Sequence, residues 1–290
     1  MAEIIVGMDE SEGAAQALRW AACEGAGRDW KIRAVLAWSF IDQRQLERTH
    51  TFDPDYNEQV ARKTLAAAVE RVLGTESAAG IDQEVVCDLA ARALIERSAD
   101  ADLLVVGARG LGGFKSLLLG SVSNQCLHHA HCPVAVVRAD VDPVRHVTER
   151  IVVGVDGSPA AQRALRWALD MARSGHSKVD VVHAWQPVVL GGPFAPVMID
   201  AETWRDAAER TIEQAIAAED TTGVHVTRIL ACSGAASAIL DAVDGADLVV
   251  VGTRGRGGFA GMLLGSVSHQ VAHHAPCPVV VVPPDGERRA

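Results

Sequence analysis

The chain has 290 residues, about twice the commonest domain size, so two domains of roughly 145 residues are expected before any motif is read. Apolar residues make up 49% and charged residues 22%, which excludes disordered, collagen-like and disulfide-scaffold classes, and with aromatics at only 4% the cores must be built from Val, Ile, Leu and Ala. The formal net charge of -10 argues against a nucleic-acid partner or an anionic membrane surface, both of which need clustered Lys and Arg.

The first ten residues carry no basic stretch leading into an apolar run, and no apolar run approaches the roughly 18 residues that span a bilayer, so the expectation is a soluble cytoplasmic protein without membrane insertion. Six cysteines form no CxxC pair and no zinc-ribbon spacing. They are expected to be buried thiols in a reducing compartment.

One pattern is written twice. Ile4-Ile5-Val6-Gly7-Met8-Asp9 returns 147 residues later as Ile151-Val152-Val153-Gly154-Val155-Asp156, and Ala17-Leu18-Arg19-Trp20-Ala21 returns as Ala164-Leu165-Arg166-Trp167-Ala168. The densest match sets Gly107 to Val137 against Gly252 to Val282, 145 residues on, with roughly two positions in three identical. So long a period means a duplicated domain and not a solenoid. The expected domains are residues 1–138 and 149–290, joined through 139–148 in a charged, Pro-containing stretch without apolar periodicity. The polar tail from Pro283 is expected to fray.

In the second copy, apolar β-branched runs predict strands near Arg150 to Val155, Val179 to Ala184, His225 to Leu230, Leu248 to Gly252 and Val279 to Val282. Helical periodicity predicts helices over Ala160 to Ser174, Ala201 to Glu219, Ala235 to Val243 and Ser266 to His274. Five strands alternating with four helices, with runs too uniformly apolar for a half-exposed sheet, give an α/β class of two doubly wound parallel sheets. Ligands of such sheets bind beyond the carboxyl ends of the strands, where the strand order reverses.

That end carries the chemistry. After the fourth strand the first copy reads Gly107-Ala108-Arg109-Gly110, nine residues, then Gly120-Ser121; the second reads Gly252-Thr253-Arg254-Gly255, nine residues, then Gly265-Ser266. Glycine at a strand exit lets backbone approach a phosphate, and Gly-Ser-Val-Ser at a helix start offers N–H groups, hydroxyls and a positive dipole end. Ser121, Ser123, Ser266 and Ser268 serve there either as helix caps or as phosphate ligands. Asp9 and Asp156 close the first strand of each copy, each followed by Ser and a helix; an Asp there either caps the helix or meets nucleotide or Mg2+. Glu10 and Glu12 add negative charge in the first copy only, so a site there should be the weaker one.

Over about 270 residues the chain resembles a tandem universal stress protein of the ATP-binding kind, whose signature is the same G-x2-G-x9-G-[ST] spacing. The resemblance implies five-stranded parallel sheets in the order 3-2-1-4-5 with ATP, accompanied by Mg2+, across strands 1 and 4. It implies phosphate and ribose contacts at Gly107, Gly110, Gly120, Ser121, Val122 and Ser123, and at Gly252, Gly255, Gly265, Ser266, Val267 and Ser268. Asp9 and Asp156 become the acidic residues of the first loop, and backbone at Ala37 and Ala184 meets the adenine. Arg109 and Arg254 lie within the motif, as phosphate contacts or as solvated loop residues. The resemblance also implies that the two domains pack through their short, apolar last strands, and further homodimerisation of the chain is expected. The segments Ser39 to Tyr56 and Gln186 to Asp200, which match poorly between copies, are expected beside the nucleotide as lids or partner surfaces.

Other chemistries are less well supported. Gly110-Leu111-Gly112-Gly113 lacks the dinucleotide order, and no GxxxxGK[ST] or GxSxG occurs. His128-His129 with His131 and Cys132, and His273-His274 with Cys277, read as helix-end packing, because adjacent helical histidines diverge and no carboxylate completes a ligand set. No catalytic residue is identified, and a phosphate cradle without a base favours a nucleotide-dependent regulator of stress adaptation or growth, acting through a protein partner, over an enzyme. The alternatives are a slow Mg2+-dependent ATPase acting as a timer and a nucleotide-free or cyclic-nucleotide-binding scaffold.

Overall fold

The computed structural model describes residues 2–39, 57–111, 119–139, 147–187, 189–190, 197–198, 201–255 and 264–284. Most of the two expected lid segments, the centre of the expected linker, the tail beyond residue 284 and the interior of each nine-residue spacer lie outside them. The chain divides into two compact units, one reaching to Val147 and the other running from Thr148 to Pro284.

In the first unit the elements run β1 (Glu3–Met8), α1 (Glu12–Arg28), β2 (Lys31–Trp38), α2 (Glu58–Leu73), a short α3 (Thr75–Ala78), β3 (Asp82–Cys87), α4 (Ala90–Arg97), β4 (Leu103–Gly107), α5 (Ser121–His129) and β5 (Val134–Val137). Every strand pairing is parallel, in the order β3-β2-β1-β4-β5. Val6 on β1 stands in register with Ala34 on one side and Val105 on the other.

The second unit repeats this with β6 (Arg150–Gly154), α6 (Pro159–Gly175), β7 (Lys178–Ala184), α7 (Ala201–Ala217), β10 (His225–Ala231), α8 (Ala235–Ala242), β11 (Leu248–Gly252), α9 (Ser266–His274) and β12 (Val279–Val282). Its parallel order is β10-β7-β6-β11-β12. A small antiparallel pair, β8 (Val189–Leu190) with β9 (Val197–Met198), is additional. The 3-2-1-4-5 order is therefore present in both units.

Burial explains the pattern. The inner strands carry unbroken apolar runs, such as Ile4-Ile5-Val6 and Leu248 to Val251, buried on both faces. Strands β3 and β10, at one end of each sheet, contain no fully buried residue, whereas β5 and β12, at the other end, are buried throughout. Against β1 and β4, α1 lays a buried face of Ala14, Ala17, Leu18 and Ala21. Ser11 and Ser158 are the N-caps of α1 and α6, accepting from Ala14 N and Ala161 N, both at 3.2 Å. Both helices end on a non-glycine residue in the left-handed region, Asp29 (φ 54) and His176 (φ 59), whose N–H closes onto the last turn.

The cysteines divide. Cys126, Cys132 and Cys277 are buried, but Cys87 and Cys232 are exposed, which corrects the expectation of burial for all six. Both stand at the carboxyl ends of strands paired on one side only among the described residues of their unit, Cys87 closing β3 in register with Trp38 of β2 and Cys232 directly following β10.

Candidate functional site

The order reversal falls between β1 and β4, and again between β6 and β11, so helices leave these strands toward opposite faces and open a crevice at their carboxyl ends. Asp9 follows β1 and holds this crevice together. Its Oδ1 accepts from Ser11 N at 2.9 Å and from Ser11 Oγ, and its Oδ2 accepts from Leu111 N at 3.2 Å. Ser11 is thus the cap, and Asp9 is the residue that orients the cap and pins the glycine loop after β4. In the second unit Asp156 Oδ1 accepts from Ser158 N at 2.9 Å in the same way.

The glycines of the motif have different physical reasons. A Cβ on Gly107 would lie 2.5 Å from Gly13 C and 2.8 Å from Ala14 N, and one on Gly252 would lie 2.7 Å from Ala160 C and O. The first glycine therefore lets the start of α1 or α6 touch the strand. At Gly110 a Cβ would meet Asp9 Oδ2 at 2.5 Å, and at Gly255 it would collide with Asp156 Oδ2. The second glycine makes room for the carboxylate.

Gly120 is different. It has φ -78 and ψ 165, extended backbone open to any residue, and among the described residues a Cβ there would meet nothing closer than Ala108 O at 3.4 Å. Gly265 has the same extended backbone, φ -79 and ψ 161, but a Cβ there would press on Thr253 O at 3.2 Å.

These last glycines cap α5 and α9 without a side chain. The amides of Gly120 and Gly265 are used, donating to Ala108 O and Thr253 O, both at 2.7 Å. The first helical bonds come from Asn124 N and His269 N, so the N–H groups of Ser121, Val122 and Ser123, and of Ser266, Val267 and Ser268, precede them at the positive end of each helix. Ser121 and Ser266 are exposed. Ser123 and Ser268 are buried, with hydroxyls donating back to Ala108 O and Gly120 O and to Thr253 O and Gly265 O, so what they can offer an anion is backbone.

Ala37 and Ala184 lie at the same carboxyl end, half-exposed on β2 and β7. Arg109 and Arg254 are half-exposed, and their carbonyls face the hydroxyls of Ser11 and Ser158 at 3.4 Å and 3.5 Å. Behind the cradles, burial pushes the thiols of Cys126, Cys132 and Cys277 up to about 12, so none is a nucleophile at neutral pH.

Two residues of the second site escaped sequence reasoning. His183 on β7 donates through Nδ1 to Val155 O at 2.7 Å, beside Asp156, where the first copy has Leu36. Thr253 is buried, and its Oγ1 has no hydrogen-bond partner among the described residues, where the first copy has Ala108. The signal for both was a polar residue at a place where the other copy has an apolar one.

The universal stress protein family matches residues 1–138 and 148–283, nearly the whole chain and once per unit. The chain belongs to the universal stress protein family. It is a tandem member. A universal stress protein of Mycobacterium tuberculosis is 34% identical over 300 aligned positions, covering 96% of this chain and 95% of the relative. One of Mycolicibacterium smegmatis is 34% identical over 302 positions, covering 97% of each. Among solved structures, a universal stress protein of Archaeoglobus fulgidus superposes with a TM-score of 0.68 at 25% identity, covering 98% of both chains. Among the described residues, no helix of this tandem universal stress protein is long and apolar enough to cross a membrane.

Proposed function

We propose that this universal stress protein binds ATP in each of its two crevices and acts in the cytoplasm as a nucleotide-dependent regulator of stress adaptation or growth. The observation that carries the reading is Gly120 with Gly265. Among the described residues, backbone conformation requires glycine at neither position and packing does not require it at Gly120, yet both repeats have it directly before a helix start without a side-chain cap. A ligand that comes against the bare Cα accounts for both facts, and a polyphosphate suits the uncapped amides.

The remaining parts suit the rest of a nucleotide. Asp9 and Asp156 are the acids at the crevice floor, able to meet ribose hydroxyls or the water shell of Mg2+. The half-exposed backbone at Ala37 and Ala184 offers a flat base an edge to hydrogen-bond. Both oxygens of Asp9 already accept from protein donors, so it is held as a latch and not as a general base. This favours sensing over hydrolysis. The output then passes to a protein partner, with homodimerisation of the chain as part of the same proposal.

The test is to purify the chain without added nucleotide, denature it, and identify and count what is released by chromatography and mass spectrometry. Two ATP per chain is expected. Released ADP would move hydrolysis to the front, and an empty protein that also fails to bind added ATP would overturn the reading.

A further inference from the structure

The first strands of the two units end differently. In the first unit the ladder between β1 and β2 runs through Met8, still in register with Leu36. Lys31 N donates to Ala2 O at 2.9 Å, and counting alternate residues along the same register brings Ala37 N to Met8 O. In the second unit the last pair is Gly154 with Val182, and Val155, the counterpart of Met8, lies beyond β6. Val155 N still donates to Val182 O at 2.8 Å. A ladder that continued would next have Ala184 N donating to Val155 O. That bond is absent among the described residues, and Val155 O accepts instead from the imidazole Nδ1 of His183 at 2.7 Å.

The neighbouring amide, Trp185 N, donates to Ala231 O on the β10 side at 2.9 Å, so Ala184 N faces the end of β6, at the crevice. Leu36, the first-copy counterpart of His183, has no donor with which to displace a ladder bond. The loops that follow diverge as well. Gly157 has φ 75, a left-handed conformation, where the first copy has Glu10. Among the described residues only Asp29 and His176 take that conformation without being glycine, so the chain after Val155 follows a path that the chain after Met8 does not.

We propose that His183 is a positioning residue that makes the second crevice selective for adenine over guanine, while the first crevice accepts both bases. Its ring takes the carbonyl that would otherwise consume Ala184 N–H, and so leaves a backbone donor at the base end of the crevice. Adenine meets such a donor with the lone pair of its N1 ring nitrogen, whereas guanine carries a hydrogen at that nitrogen, and two donors cannot pair. In the first crevice the equivalent N–H, on Ala37, is spent within the ladder on Met8. The inference rests on the nucleotide reading and extends it to the choice of base.

The test is amide NMR of the nucleotide-stripped full chain, with the Ala37 and Ala184 signals as one reporter for each crevice. Without nucleotide, Ala184 N–H should exchange with solvent much faster than Ala37 N–H. In separate titrations with ATP and GTP, the Ala184 signal should report about tenfold tighter binding of ATP, the worth of roughly one hydrogen bond, and the Ala37 signal nearly equal affinities. His183→Leu gives β7 the residue of β2 and should slow exchange at Ala184 and bring its preference down to that at Ala37. His183→Asn keeps a side-chain N–H donor and should retain most of the parent's preference. A parent whose Ala184 amide is as slow as Ala37, equal preference at the two reporters, or undiminished selectivity in His183→Leu would each overturn the proposal. If neither reporter moves with either nucleotide, the nucleotide reading itself fails and takes the proposal with it, an outcome distinct from binding without preference.

Discussion

Arg150 donates through Nε to Asp180 Oδ2 at 2.8 Å, and the same two places in the first unit are occupied by Glu3 and Arg33, an ion pair of reversed polarity also at 2.8 Å. The base of the first strand is thus tied to the second strand in both units, by opposite charges in opposite order. Arg150 does more than its counterpart, donating also to Asp244 O at 2.5 Å and Ala242 O at 3.1 Å. Asp180→Ala should cost more than the ~1 kcal/mol of a surface pair and less than the ~3–5 kcal/mol of a fully buried one, because Asp180 is nearly buried and Arg150 only partly. The double exchange Arg150→Glu with Asp180→Arg should recover part of the loss but not the two carbonyl bonds. Urea unfolding measures all three. Equal destabilisation of the single and double variants would show that the polarity is not interchangeable.

Within α1, Glu24 and Arg28 form an ion pair whose side chains are both 0% exposed. Burial pulls the Arg28 guanidinium down from its ordinary pKa, and the charge of Glu24 opposes that shift. The second repeat has Met171 and Gly175 at these places, so the fold does not require the pair. Glu24→Ala should cost up to about 3–5 kcal/mol by removing the carboxylate beside a buried cation, whereas Glu24→Met with Arg28→Met should be close to neutral. A double variant no more stable than Glu24→Ala would contradict this account.

Gly107 and Gly120 separate stability from binding. Alanine at Gly107 forces a Cβ into the backbone of Gly13 and Ala14, which moves only with α1, at a cost of about 1–3 kcal/mol. Alanine at Gly120 meets no backbone strain and, among the described residues, no collision, so its melt should be unchanged or slightly higher. If the cradle is correctly assigned, Gly120→Ala should nevertheless weaken ATP at the first site by about tenfold or more, ~1.4 kcal/mol, with the second site intact. Calorimetry with unchanged affinity at both sites would remove Gly120 from the cradle.

Much of this architecture was legible because buried parallel strands announce themselves as uniform Val and Leu runs. Leu248–Gly252 and Val279–Val282 fall where the sequence places them, and Ser266–His274 starts at its Gly-Ser signal. Ends were less legible where local bonds decide them. Val155 still donates to Val182 O at 2.8 Å but lies beyond β6, and α7 stops at Ala217, two residues before Glu219. The two-residue strands β8 and β9 are too short to carry a period. At the site, the Gly and Asp positions were visible but their division of labour was not. Gly107 and Gly110 answer to a helix start and a carboxylate, contacts between residues about 100 positions apart that spacing alone does not reveal.

Glu84 on β3 gives the first unit an acid-sensitive contact. Arg97 donates to its Oε1 through Nε at 2.9 Å and Nη2 at 2.6 Å, and Arg33 lies 3.6 Å from its Oε2. The hydrogen bond from Arg97, helped by the charges of Arg97 and Arg33, holds the carboxyl below its ordinary value despite partial burial. A depressed folded pKa contributes stability above the unfolded carboxylate pKa of about 4.3, and that contribution is lost as pH falls through the folded value. Glu84→Gln should therefore lower the urea midpoint at pH 6 and converge on the parent toward pH 3. A difference that stays constant with pH would assign the effect to packing.

Exposure and burial divide the thiols sharply enough to count. Cys87 and Cys232 are exposed, while Cys126, Cys132 and Cys277 are buried with pKa values pushed up to about 12. Cys23 is half-buried and raised as well, by burial first and by the charge of Glu24 second. Thiolate, not thiol, attacks a disulfide reagent, so an aromatic disulfide at pH 8 should react rapidly with two thiols per native chain and slowly with a third. The last three should respond only on unfolding, bringing the count to the six of the sequence. Cys87→Ser and Cys232→Ser should each remove one fast equivalent without lowering the melt, since neither side chain fills a core. Fast reaction of more than three thiols in the native chain would mean that α5 or the start of β5 or β12 opens far more readily than its burial implies.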